Sequence, residues 1–257
     1  MMEKTKLTAD VFSIFRPAWP GLARLDPGLT SPCSHGKAEA MDSQILESLP
    51  PLSRLALSYA PASAHQDWLT ALALDARLAG VVRQAREPVL AQLKLAWWRD
   101  RLEQDVASRP RGEPLLARFA DWCCGGKVMI ALVNGWEAML DDRPFEGGAV
   151  GVFVSGRAGL AGELADRLGC NRKAAEARAQ RWALAELSLH CADTAARHHL
   201  RDLALAEGAR PGTCEPAMRP LAVLEKINLR ACKIGSLRAL GSPAALLTAI
   251  RVGLIGR

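Results

Sequence analysis

Arginines are the side chains of this sequence with the clearest capacity for binding chemistry. Arg77, Arg83 and Arg86 lie close together in the chain. A guanidinium binds phosphate through a planar fork of N–H donors and needs no metal ion to do so. The three arginines therefore predict a site for an anion such as a diphosphate. The alternative is that they form a solvated basic edge of a helix.

The acidic residues do not show the spacing that a metal site needs. Asp75 stands alone, and Glu186 and Asp193 are separated by seven positions. Asp141-Asp142 fall in a predicted loop. The alternative to a metal-binding role for this pair is a solvated turn. Mg²⁺ is a hard cation that is held by several oxygen ligands at once. The sequence therefore predicts no metal site, and we assign no catalytic residue.

Histidines and cysteines offer no catalytic arrangement either. His198 and His199 are adjacent, so on a helix their side chains point about 100° apart, and no third ligand follows one turn later. The seven cysteines contain no CxxC motif, and Cys123 and Cys124 are too close in sequence to bridge readily. We expect reduced, buried thiols in a reducing compartment, rather than a disulfide framework or a zinc site.

The composition bounds the class of protein and its partners. The chain has 257 residues, of which 49% are hydrophobic, and a net charge of +6. A basic excess fits anionic partners. We expect no nucleic-acid partner, because no recognised motif or lysine-rich run is present and Tyr59 is the only tyrosine. The sequence shows neither a membrane-spanning stretch nor a secretory signal, so we expect a cytoplasmic protein.

The pattern of apolar residues along the chain predicts an all-α protein with eight or so helices around one core. Apolar residues recur at helical spacing from residue 50 onward, and neither period-2 alternation nor a hairpin turn is found. Pro88 suits the first turn of a helix, and Gly125-Gly126 predict a kink or an interruption. The predicted helices cover residues 53–61, 65–85, 88–108, 114–139, 148–168, 172–192, 194–206, 218–232 and 243–254.

Residues 1–40 are expected to be a disordered leader or a start-site artefact, and residues 41–257 to form the helical domain. The first 40 residues contain four prolines and no helical period long enough to fold alone. Met41 opens a clean amphipathic pattern and is the predicted start of the protein. An affinity of residues 15–25 for a lipid surface is the alternative.

Two adjacent tryptophans, Trp97 and Trp98, stand in the segment LKLAWWRDRL. Apolar residues form two lines on this predicted helix, namely Leu90, Leu93 and Trp97 on one and Leu95, Trp98, Leu102 and Val106 on the other. A helix that is apolar over more than half its circumference is expected to lie between other helices. In that position both indoles are expected to anchor the core. The alternative is that one of them lines a cavity for a long apolar ligand.

These segments together resemble the squalene/phytoene synthase family. Residues 70–102, TALALDARLAGVVRQAREPVLAQLKLAWWRDRL, are similar to its second and third helices, and the segments LVNGWEAMLDD, GRAGLAGELADRLG and GSPAALLTAIRVGLIGR also fit. The likeness covers residues 50–257 and is greatest to a short branch that includes bacterial members and a mitochondrial complex I assembly factor. It implies the isoprenoid synthase fold, an antiparallel helical bundle around a central cavity, with Asp75, Trp97 and Trp98 as cavity-lining candidates.

The resemblance also implies a chemistry that these residues do not support. Active synthases bind prenyl diphosphates through Mg²⁺ held by two aspartate-rich motifs on facing helices, since the ions must neutralise the departing diphosphate. At the first motif the acidic positions are occupied by Ala79, Gly80 and Arg83, and Asp75 lies one turn too early. Alanine and glycine cannot coordinate an ion, and Arg83 would repel it.

The second motif is incomplete as well. It should fall on LAELSLHCADTAAR, where Glu186 and Asp193 lack the expected Asn-x-x-x-Asp spacing. The first functional hypothesis is therefore a family-like protein without prenyltransferase activity and without a cofactor, which binds a prenyl lipid or assists assembly of a membrane complex. The alternative is an active head-to-head prenyl diphosphate synthase that uses Mg²⁺ and acidic residues displaced elsewhere in the chain.

The last predicted helix raises the question of a membrane partner. Leu246, Leu247, Ile250 and Leu254 form one apolar stripe, with Arg251 and Arg257 near the end of the helix. The stripe either packs onto the bundle or enters the headgroup region of an anionic membrane, reversibly and with salt sensitivity. The second interpretation predicts a peripheral protein on the inner face of a membrane, with a lipid surface or a protein there as partner.

Overall fold

The computed structural model describes residues 34–85, 87–110, 112–122, 126–140, 145, 148–206 and 214–256, with the backbone alone for 34–40. These residues form eleven α-helices and three short 3₁₀ segments, with no strand among them, so the predicted all-α class is confirmed. The helices are α1 Ser34–Ser48, α2 Pro51–Leu57, α3 Ala62–Gln84, α4 Pro88–Glu103, α5 Pro114–Arg118, α6 Lys127–Ala138, α7 Ala149–Arg167, α8 Arg172–His190, α9 Thr194–Leu205, α10 Arg219–Ile234 and α11 Pro243–Ile255.

Prolines and capping side chains explain where many of these helices begin. Proline occupies the first helical position of α2, α4, α5 and α11, where its missing N–H is not needed. Asn171 and Asp193 accept hydrogen bonds from Ala174 N and Ala196 N at the starts of α8 and α9, at 2.9 and 2.7 Å. Asp193, a candidate in the second acidic motif, is therefore the N-cap of α9.

Glycines set the distance between α6 and α7, which form the closest helix pair. A Cβ added to Gly156 would lie 2.6 Å from the backbone oxygen of Ala131, and one added to Gly135 would lie 3.0 Å from Cα of Phe153. Each added Cβ would clash with the backbone of the facing helix, which cannot move without displacing the helix. Only glycine therefore permits this close approach. The close approach brings Trp136 of α6 against Phe153 of α7, with ring centroids 4.9 Å apart.

A buried ion cluster joins α8 to α10. Glu225 of α10 is completely buried, and its Oε2 accepts a hydrogen bond from Nη1 of Arg178 at 2.6 Å. Nη2 of Arg181 donates to the other carboxylate oxygen. The side chain of Arg178 is 5% exposed and that of Arg181 is 16% exposed. One buried carboxylate thus forms ion pairs with two guanidiniums from the neighbouring helix and balances one of their two positive charges.

The proposed boundary between residues 40 and 41 falls inside a helix. The backbone of α1 runs from Ser34 to Ser48, and residues 1–33 lie outside the described part of the chain. Beyond the boundary, Asp42 accepts hydrogen bonds from Arg118 of α5 and from Nε2 of Gln66 of α3, the latter at 2.5 Å. These contacts tie the second half of α1 to the bundle.

Only one of the two apolar lines on α4 is buried. Leu95, Trp98 and Leu102 are at most 4% exposed, whereas Leu90, Leu93 and Trp97 are 38–62% exposed. The expectation that α4 is enclosed by other helices on both lines is therefore wrong. The bundle covers one side of the helix, where α6 packs, and leaves the other open.

The unequal burial of the two indoles predicts unequal effects on stability. Trp98→Ala should lower the free energy of unfolding by about 3 kcal/mol, because it removes a large buried side chain. Trp97→Ala should have less than about a third of that effect, because Trp97 is 38% exposed. Urea unfolding of both variants measures the difference. Equal losses would contradict the placement of α4.

No described helix combines the length and the apolarity needed to cross a bilayer. The C-terminal helix α11 contacts the bundle through Ala245, Ala249, Val252 and Gly253, all of which are buried. Its longer side chains, including the predicted stripe, face outward and are exposed. The interpretation in which the stripe packs onto the bundle is therefore wrong.

Candidate functional site

Arg157 of α7 joins two carboxylates that come from two other helices. Its Nε and Nη2 donate hydrogen bonds to Oδ1 and Oδ2 of Asp75 on α3, at 3.2 and 2.8 Å. Its Nη1 donates to Oε2 of Glu186 on α8 at 2.5 Å. The side chain of Arg157 is only 3% exposed. One guanidinium thus ties three helices together, and we call this arrangement the Arg157 bridge.

Aromatic rings surround the guanidinium of the bridge. The ring centroids of Trp182, Phe153 and Trp136 lie 4.2, 4.7 and 5.3 Å from its central carbon. Such contacts between a cation and a ring are attractive, and more so away from water. Nε1 of Trp136 also donates to Oδ1 of Asp75 at 2.8 Å, which orients the carboxylate. The position of Arg157 is therefore fixed by both hydrogen bonds and rings.

The charges around the bridge alter three pKa values. Burial opposes the charge on Arg157, but Asp75 and Glu186 outweigh burial, so the pKa of Arg157 is raised. Burial also opposes the charge on Glu186, but Arg157, His190 and Arg83 outweigh it and lower the pKa of this carboxyl group. Burial lowers the pKa of Arg83, against the attraction of Glu186 and Asp75. Opposite charges thus keep Glu186 ionised at neutral pH although its side chain is only 22% exposed.

A cleft opens beside the bridge. It encloses about 500 Å³ of space, including its open mouth. Trp182, Leu224 and Leu240 supply much of its apolar surface. Its polar lining consists of Ser53, Asp75, Arg83, Arg157, Glu186, His190 and Asn228. The lining thus combines apolar walls with two guanidiniums and two carboxylates. Apolar walls with a few polar groups are typical of a small-molecule site.

The structure separates the three arginines that the sequence groups together. Arg83 lines the cleft. Arg77 lies elsewhere on α3, with a side chain that is 57% exposed and an Nη2 that lies 3.9 Å from Oε1 of Glu113. Arg86 lies outside the described residues. For Arg77 the solvated-edge interpretation fits, whereas Arg83 remains a candidate for anion binding.

The candidates for cavity lining are separated too. Asp75 lines the cleft, but neither Trp97 nor Trp98 belongs to its lining. Trp98 is buried in the core, and Trp97 packs against it edge-on, with centroids 5.4 Å apart. The indole in the cleft is that of Trp182, which the sequence did not single out.

Arg157 is the charged residue at the centre of the site, and the sequence did not single it out either. It is the one charged residue in the stretch GVFVSGRAGLAG, residues 151–162. A lone charge within an apolar helix needs a buried partner, because burial of an unpaired charge is very costly. That signal could have identified Arg157, but it could not have identified Asp75 and Glu186 as the partners.

The described side chains of the cleft do not fit a magnesium site. Both oxygens of Asp75 already accept hydrogen bonds from Arg157, as does Oε2 of Glu186. Within the described part of the chain, no three or more His, Cys, Asp and Glu residues come together in a way that could hold a metal ion. Asp141-Asp142 lie outside that part, and His198 and His199 are exposed on α9. Arg83 in the lining remains the candidate for anion binding by a guanidinium.

The protein that emerges is an all-helical bundle with an arginine-bridged carboxylate pair at one cleft. No model of a protein family, no curated protein and no solved structure matches this chain.

Proposed function

We propose that the chain is a squalene/phytoene synthase-like protein that binds a prenyl lipid through its anionic group and does not transfer prenyl groups. The observation that carries this proposal is the Arg157 bridge. A synthase needs carboxylates that are free to hold Mg²⁺ against a diphosphate, whereas Asp75 and Glu186 are bound to an internal guanidinium. A role in the assembly of a membrane complex is compatible with such binding.

A guanidinium in the cleft lining supports an anionic ligand. The formal charges of the lining balance, since Asp75 and Glu186 carry two negative charges and Arg157 and Arg83 carry two positive ones. Both carboxylates accept hydrogen bonds from Arg157, and Arg83 is the second guanidinium of the lining. Burial lowers the pKa of Arg83, so an incoming anion would favour its charged form and gain from the interaction.

The alternative function is an active head-to-head prenyl diphosphate synthase. One observation favours it, because Asp75 of α3 and Glu186 of α8 face the same cleft from different helices. Catalysis with Mg²⁺ would require Arg157 to leave the space between them. The two functions therefore differ in the release of diphosphate, which can be measured directly.

We expect the full chain, incubated with geranylgeranyl or farnesyl diphosphate and Mg²⁺, to release no diphosphate above background. The reason is that the bridge withholds the carboxylates from the ion. A colorimetric assay of released diphosphate, with and without EDTA, measures this. Release that EDTA abolishes would contradict the proposal and establish the alternative.

Binding is tested separately with geranylgeranyl diphosphate in the presence of EDTA, by titration calorimetry. Arg83→Gln should weaken binding roughly tenfold or more, which is the size expected for a lost charge-assisted hydrogen bond. Arg77→Gln is the matched control, because it removes the same charge from the same helix at a position outside the cleft lining. Equal affinities of the two variants, or no binding by the unaltered protein, would contradict anion binding in the cleft.

A further inference from the structure

The outward side of α11 is an exposed apolar surface, which we call the α11 face. Its five members are 40–67% exposed and are Leu246, Leu247, Ile250, Leu254 and Ile255. At 100° per residue they span about half of the helix circumference. The opposite half carries the buried residues Ala245, Ala249, Val252 and Gly253. The helix therefore presents its larger apolar side chains to the outside and its small ones to the bundle.

Close packing fixes this orientation. A Cβ added to Gly253 would lie 2.1 Å from the ring of Tyr59, so the bundle leaves room only for a small residue at that position. The C-cap Gly256 has a φ of 79°, and its oxygen accepts a hydrogen bond from Cys214 N at 3.0 Å. Rotation of α11 to bury its leucines would break these contacts. The exposure of the α11 face is therefore a property of the fold.

The chain segment that ends in α11 carries charge of one sign. Residues 226–257 contain no aspartate or glutamate, and their cationic residues are Lys226, Arg230, Lys233, Arg238, Arg251 and Arg257. Arg251 is exposed within the same half of α11, and Lys233 and Arg238 are exposed nearby in the sequence, at and after the end of α10.

We propose that the α11 face is a docking surface for an anionic lipid bilayer. Contiguous exposed leucine and isoleucine side chains mark interaction surfaces. The cations of residues 226–257, a segment without acidic residues, match negatively charged headgroups. A helix of 13 residues is about 20 Å long, so α11 lies in the plane of the interface with its apolar side chains among the upper acyl chains. The inference does not depend on what the cleft binds.

The exposed side of α4 supplies an internal comparison. Val89, Leu90, Leu93 and Trp97 are 38–62% exposed there, which is similar to the α11 face. However, the exposed residues of α4 also include Asp100 and Glu103, so this surface carries both signs of charge. Charge complementarity with an anionic bilayer therefore distinguishes α11 from α4.

The test is co-sedimentation of the full chain with vesicles at low salt. We expect binding to vesicles rich in phosphatidylglycerol, little binding to phosphatidylcholine alone, and weaker binding as salt is added. Leu247→Ser with Leu254→Ser should weaken binding by at least about tenfold, because two apolar side chains no longer enter the lipid. Arg251→Gln should weaken it about fivefold. Val89→Ser with Leu93→Ser is the matched control and should leave binding unchanged.

Three results would overturn the proposal. The first is no binding of the unaltered chain to phosphatidylglycerol vesicles, and the second is equal binding to both kinds of vesicle. The third is an equal loss of binding in the α4 control. Sedimentation velocity tests whether a second copy of the chain covers the α11 face instead. That occupant is indicated if the unaltered protein is a dimer that does not bind vesicles and the α11 variant is a monomer. The altered leucine and valine side chains are more than half exposed, and Arg251 is exposed as well. The variants should therefore keep the unaltered helical circular dichroism and Tm.

Discussion

Replacement of Arg157 by methionine should lower the free energy of unfolding by about 3–5 kcal/mol at pH 7, the usual loss when one partner of a buried ion pair is removed. Methionine retains much of the length of the side chain but leaves Asp75 and Glu186 without their common counter-charge. Urea unfolding at constant pH measures the loss. A loss below about 1 kcal/mol would mean that the bridge does not hold the three helices together.

The loss in the Arg157→Met variant should shrink as the pH falls. In the unaltered protein the pKa of Glu186 is lowered, so its contribution to stability is complete above its ordinary pKa and disappears as the pH falls below it. Without Arg157 the pKa of Glu186 should rise, so the variant gains stability relative to the unaltered protein as the pH falls from 7 toward about 5. Unfolding at both pH values tests the sign.

A neutral version of the site is the matched control. Addition of Asp75→Asn and Glu186→Gln to Arg157→Met removes all three charges together. It should recover a large part of the lost stability, because much of the loss comes from the unpaired carboxylates. If the triple variant is as unstable as Arg157→Met, the loss arises from packing rather than from charge.

Glu225→Gln should lower the free energy of unfolding by a similar amount, about 3–5 kcal/mol. The substitution preserves shape but removes the buried negative charge with which Arg178 and Arg181 form ion pairs. Thermal unfolding at neutral pH would register this as a large fall in Tm.

Glu176→Gln on α8 is the control for Glu225→Gln. Glu176 accepts a hydrogen bond from Arg172 one turn away at 3.1 Å, and their side chains are 32% and 39% exposed. An exposed pair of this kind contributes about 1 kcal/mol or less. If the two substitutions cost the same, burial does not determine the strength of the Glu225 cluster.

Much of the helical framework could be predicted from local signals. Pro88, Pro114 and Pro243 mark the first residues of α4, α5 and α11, as the sequence predicts. The predicted break near Gly125-Gly126 corresponds to Gly126, whose φ is 88° and whose added Cβ would lie 2.5 Å from Leu102 O. These features depend on the chain within a few residues, so the sequence displays them directly.

The pairing of residues in the site could not be predicted, because the partners are far apart in the sequence. Arg157 pairs with Asp75 and Glu186 across 82 and 29 positions of the chain. Helical periodicity identifies the face of a residue but not the residue on the opposite helix. The same restriction explains α4, because a helix with two apolar lines does not reveal that its neighbours cover only one of them.

The Arg157 bridge also limits how this sequence can evolve. Loss of any one of the three charges leaves a buried group without its partner, so each single substitution passes through an unstable intermediate. The bridge should therefore be inherited as an epistatic unit, with Asp75, Arg157 and Glu186 retained or replaced together among descendants of this chain. Such coupling is an evolutionary barrier, since a return to carboxylates open to cations would require stabilising changes elsewhere before Arg157 could be lost.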